Sequence, residues 1–121
     1  MTEPRFEPLH FTSEERTLED ISTGDRELAT KAMFAAALEC DNASFVQTLA
    51  VALTLSSEPD IRRAGVLSLG HVARRFGAVE LPAVEAIITR LNGDEALHGA
   101  LYDLQEDLAV FVGREHDDDI R

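Results

Sequence analysis

A single cysteine, Cys40, stands in the chain, so no internal disulfide can form and a reducing compartment is the natural home. No run approaches the roughly 20 apolar residues that a membrane-spanning helix needs. The opening MTEPRFEPLHF also lacks the basic and apolar stretches of a signal peptide. The protein is therefore expected to be cytoplasmic and away from membranes. Basic residues are scarce as well: 11 against 23 acidic ones leave a net charge of −12. That sign repels a phosphate backbone and favours a basic partner, which argues against direct nucleic-acid binding. Neither a glycine-rich phosphate loop nor a nucleophile-elbow pattern is present, and Cys40 has no histidine near it in sequence. No enzymatic activity, metal or cofactor is expected.

What is there suffices for one domain over residues 1–121, since 45% of the residues are hydrophobic and a chain of this size buries roughly two thirds of its unfolded surface. Residues 58–77, EPDIRRAGVLSLGHVARRFG, are its centre. Pro59 fits a first helical turn, where its missing N–H costs nothing, and Glu58 and Asp60 set negative charge against the positive end of the helix dipole. Ile61, Ala64, Leu67, Val72 and Phe76 recur at helical spacing, and Gly77 supplies a left-handed stop. His71, inside this helix, reads as a packed, hydrogen-bonded histidine.

On either side of it, five further segments predict helices. Residues 1–12, with Pro4 and Pro8, form an irregular arm tied down by Phe6, Leu9 and Phe11. Thr12 or Ser13 caps a short helix over 13–21, anchored by Leu18 and Ile21 and ended by Gly24. Asp25 caps 26–40, apolar over much of its circumference, and Asn42 caps 43–57. The β-branched residues of 43–57 would also suit a strand, but its length and lack of strict alternation favour helix. Pro82 opens a helix over 82–91. Asp94 caps the last, 94–112, where Leu97, Leu101, Leu104, Leu108 and Phe111 form one seam. Gly113 ends it, and residues 114–121 form an acidic flexible tail. Five or six helices joined by short turns make an all-α protein of antiparallel helix pairs. Residues 25–56, 58–92 and 94–112 divide as two pairs and a cap, with no fixed repeat period visible.

The turn Pro59-Asp60-Ile61-Arg62 and the later Leu69-Gly70 resemble the first helix of a HEAT repeat. The resemblance implies a short α-solenoid, in which Arg62 would pair with an aspartate of the neighbouring repeat. Some HEAT-like proteins bind DNA through basic concave faces, and the charge here has the opposite sign.

Glu95 and His98 have the Glu-x-x-His spacing of di-iron bundles, yet no second copy exists to complete such a site. Asp103 and Asp107 stand one turn apart, and with Glu106 beside them they read as a solvated stripe. Surface recognition remains. Residues 94–121 hold nine acids against two arginines, and the leucine seam turns Glu95, His98, Tyr102, Asp103, Glu106 and Asp107 to the other faces. Tyr102, the only tyrosine, suits an interface because it offers apolar area and a hydroxyl together. The plainer alternative has Tyr102 packed on a neighbouring helix and the acids paired with Arg62, Arg74 or Arg75.

Arg62, Gly70-His71, Ala73-Arg74, Gly77, Asp103-Leu104, Asp107-Leu108 and Phe111 together resemble small bacterial HEAT-like immunity proteins found beside polymorphic or contact-dependent toxins. That resemblance implies a non-enzymatic inhibitor whose partner is a cognate toxin, expected to be a basic, nuclease-type domain. A scaffold or regulatory HEAT module is the alternative from another class, distinguished by tolerant binding and by no link to a toxin.

Overall fold

A computed structural model describes residues 9–112. The helices are α1 (Glu14–Ile21), α2 (Arg26–Glu39), α3 (Ala43–Leu53), α4 (Pro59–Phe76), α5 (Leu81–Leu91) and α6 (His98–Asp107). A 3₁₀ turn over Glu95–Leu97 leads into α6, and a π turn over Leu108–Val112 follows it. No strand occurs among the described residues, and the fold is all-α. None of these helices is long and apolar enough to cross a membrane. The expected arm over 1–8, including Phe6, and the stop and tail over 113–121 lie outside the described residues. Residues 9–12 have no regular structure and are held at the end of α2, where Glu39 accepts from the Phe11 N–H at 2.7 Å and meets His10 Nδ1 at 3.1 Å.

α1, α2, α3 and the 3₁₀ turn each begin at a side-chain cap. The side chains of Ser13, Asp25, Asn42 and Asp94 accept from the backbone N–H of Arg16, Leu28, Phe45 and Ala96 at 3.0–3.1 Å, satisfying donors that a helix start would otherwise orphan. Pro59 lies in the first turn of α4, and Gly77 closes that helix at φ 71°, the left-handed conformation that glycine adopts without a Cβ clash.

α4 is the central element, packed on α2, α3 and α6. Val66, Leu69 and Val72 are fully enclosed there with Met33, Val46, Val84, Leu97 and Leu104, each worth about 1.5–3 kcal/mol of transfer free energy. Polar bonds fix how the helices run. Arg26 meets Glu58 at the starts of α2 and α4 (3.2 Å), while at their ends Arg75 donates to the carbonyls of Ala37 and Cys40 (2.8 Å each) and to Asp41 (3.1 Å). Arg62 meets Asp94 at the starts of α4 and α6 (3.2 Å), and Arg74 pairs with Asp107 at their ends. α2, α4 and α6 therefore run parallel, side by side. On the other side Gln47 of α3 accepts from the Glu80 N–H at 2.9 Å, and Arg90 of α5 donates to Thr54 at the end of α3. Arg62 also donates to the Ser56 carbonyl at 3.0 Å, so it holds the turn before α4 as well as the next helix.

The structure departs from the sequence expectations in three places. α1 buries Thr17 and Asp20 and leaves Leu18 46% exposed. Of its two expected anchors only Ile21 packs on the core, and the bond from the Asn42 amide to Glu14 ties its first turn to the start of α3; the bonds of Thr17 to the Ser13 carbonyl and of Arg16 to Asp20 lie within its own turns. α3 stops at Leu53 instead of running to 57: the following N–H groups turn back three residues, Leu55 to Ala52 and Ser56 to Leu53, and Pro59 keeps Glu58 extended before the next helix. The last segment is three pieces instead of one helix. Its π turn changes the winding after Asp107, so Val112 turns inward in place of Phe111, which is 40% exposed.

Candidate functional site

The buried leucines 97, 101 and 104 fix the rotation of α6, and with it what the helix shows to solvent. Glu95, His98, Tyr102, Asp103 and Glu106 are all exposed, Tyr102 at 62%. Tyr102 is thus not packed on a neighbouring helix. His98 Nε2 lies 3.2 Å from the Asn92 carbonyl, which orients its ring at the start of the helix. Among the described residues, Glu95, Asp103 and Glu106 enter no ion pair, so their charge faces outward.

Asp107 is set apart from the other five. Its carboxylate is largely covered and pairs with Arg74 of α4, just as Asp94 pairs with Arg62. Two of the last segment's acids therefore bind the frame, and Arg75 caps α2 instead of serving α6.

Asp103, Glu106 and Asp107 also form one wall of an open trough of about 640 Å³ between α2, α4 and α6. Leu67, Gly70 and His71 of α4 lie along its floor, and Phe34 and Leu38 of α2 form the opposite wall. Leu38 is 56% exposed, an apolar side chain without cover. Sequence does not distinguish this wall, because a helix apolar over most of its circumference is expected to be buried on more than one side. Which apolar residues of α2 reach solvent depends on where α1, α3 and α4 stop covering it.

His71 is the histidine of that floor. Its Nδ1 lies 2.7 Å from Arg74, a donor only, so the ring nitrogen accepts and the imidazole is held neutral there. Burial lowers its pKa below the ordinary 6.5, the Arg74 charge lowers it further, and Asp107 partly opposes both. Cys40 is buried at the end of α2. Among the described residues no group of three or more His, Cys, Asp or Glu converges as metal ligands would. Geometry of this kind suits contact with a macromolecule: a charged strip, an exposed aromatic and an apolar trough, held on a rigid row of helices.

No protein-family model matches the chain. No curated protein matches it either. Among solved structures, its fold is similar to that of a chain in the crystal structure of a CDI complex from Cupriavidus taiwanensis LMG 19424. The TM-score is 0.76 at 22% identity, over 91% of this chain and 96% of that one.

Proposed function

We propose that this chain is a non-enzymatic immunity protein, one HEAT-like helical domain that binds the toxin of a contact-dependent inhibition system in the cytoplasm and covers its substrate site. The observation that carries the reading is the fold shared, nearly end to end, with a chain of a CDI complex. The surface supports it from a second direction. Glu95, Asp103 and Glu106 suit a basic, nuclease-type toxin domain, since complementary charge speeds encounter, and exposed Tyr102 supplies an anchor that slows release.

The test is binding to, and protection from, the toxin domain encoded beside this chain. Asp103→Lys with Glu106→Lys is expected to lower the association rate about tenfold or more at low salt. Tyr102→Ala is expected to raise the dissociation rate instead. A toxin domain that neither binds the purified chain nor is silenced by it in cells would sink the reading. A peptide-docking scaffold is the second reading, favoured by the trough; it would bind many partners tolerantly and give no protection.

A further inference from the structure

We propose that the trough between α2, α4 and α6 is the seat of a basic amphipathic helix of the partner, its apolar side against Phe34 and Leu38 and its lysines or arginines against Asp103 and Glu106. The proposal deepens the reading above and rests on it for the identity of the partner. Three observations carry it. The trough is of ligand-binding size, open along the row of parallel helices, and most of its lining is apolar. Its walls differ in kind: α2 offers partly buried Phe34 and exposed Leu38, and α6 offers carboxylates. Only an occupant with one apolar and one cationic side satisfies both walls at once, which is the helix-in-groove mode of recognition.

The charges decide the sign. Asp107 and Arg74, the ion pair in this trough, neutralise each other across its floor. Asp103 and Glu106 are left without a cationic partner among the described residues, so a lysine or arginine entering there meets two uncompensated carboxylates. An acidic helix would be repelled by the same pair. Apolar contact at Leu38 then separates this occupant from a merely cationic one, because burying an exposed leucine adds affinity that salt does not screen.

The experiment uses the full-length chain, isotope-labelled for NMR, and a synthetic helix-forming peptide of leucine and lysine, with a leucine and glutamate peptide as control. The expected result is peptide-induced shifts at the amides of Leu38, Gly70, His71 and Glu106 with the basic peptide alone. Leu38→Ser, at a position too exposed to unfold the protein, removes the apolar contact without adding charge and is expected to weaken binding at least about tenfold, which corresponds to about 1.4 kcal/mol. Shifts confined to other surfaces, or equal affinity for wild type and Leu38→Ser, overturn the proposal. Shifts of the same amides on concentrating the chain alone assign the trough to a second copy and overturn it too. Hydrogen exchange on a toxin complex separates the two levels: a toxin that binds without protecting α2 refutes the trough and leaves the immunity reading intact. A trough that takes the peptide in a chain that binds no toxin refutes the immunity reading alone.

Discussion

Asp107 occupies the space that a side chain at position 70 would need: a Cβ built on Gly70 stands 2.8 Å from Asp107 Oδ2. Glycine on α4 thus lets the carboxylate of α6 reach Arg74. Gly65 makes a harder approach, because its Cβ would stand 2.7 Å from the Ala50 carbonyl oxygen and 2.9 Å from the Thr54 nitrogen, both backbone. Overpacking costs about 1–3 kcal/mol, and alanine returns roughly 1 kcal/mol in helix propensity. Urea denaturation should therefore show Gly65→Ala clearly destabilised and Gly70→Ala near wild type, because a carboxylate can swing aside and a backbone cannot. A Gly65→Ala protein as stable as wild type would refute the close α3–α4 approach.

Arg75 should matter to stability more than any other surface arginine. It closes the end of α2 with one nitrogen shared between two carbonyls and another on Asp41. Arg75→Ala is expected to cost about 2 kcal/mol, the scale of charge-assisted hydrogen bonds to groups left unpaired. Arg75→Lys should recover only part of it, since an ammonium lacks the planar fork. Full recovery by lysine, measured as the denaturation midpoint, would show that charge alone suffices.

The acids of α6 should divide into two classes. Asp107→Ala breaks the pair with Arg74 and is expected to lower stability by about 1 kcal/mol. Asp103→Ala and Glu106→Ala, both exposed, should change stability by less than about 0.5 kcal/mol, whatever they do to binding. Thermal melts of the three variants check this, and equal losses at all three would contradict the assignment.

Acid should weaken the fold in two windows. His71 has a folded pKa below 6.5, so its unfolded form takes up a proton first, and the stability it contributes is complete above pH 6.5 and lost as pH falls through the lower folded value. Glu39 is held below its ordinary 4.5 chiefly by the Phe11 N–H and then by His10, so its contribution is present above pH 4.5 and lost as pH falls further. Stability measured against pH should lose the first of these slopes in His71→Gln and keep the second. A His71→Gln profile parallel to wild type as pH falls below 6.5 would reject the assignment.

Helix starts were legible because a cap acts within three residues: Ser13, Asp25, Asn42 and Asp94 bond to backbone N–H groups two or three positions ahead. The exposed strip of Glu95, His98 and Tyr102 followed from the leucine spacing of the same helix. The face of α1 was legible only in part: Ile21 packs on the core as its spacing suggests, but Leu18 is left exposed, and the Glu14–Asn42 bond to the start of α3 has no local signature. Nor was the far wall of the trough, since Leu38 has the same chemistry as its buried neighbours and differs only in what covers it.

Alone, the sequence determined the helical class, the helix starts, the central role of 58–77 and the acidic character of the last helix, because propensity, capping and charge are local properties. Tertiary structure decided the rest. Arg26–Glu58, Arg62–Asp94, Arg74–Asp107 and Arg75–Asp41 join residues 32, 32, 33 and 34 positions apart, a near-constant offset that sets α2, α4 and α6 in one parallel row. Spacing alone does not show which of the many arginines and acids at such separations meet. The offset exists in the pairing of unlike side chains across neighbouring helices, and the same packing divides the acids between those that hold the frame and those that face solvent.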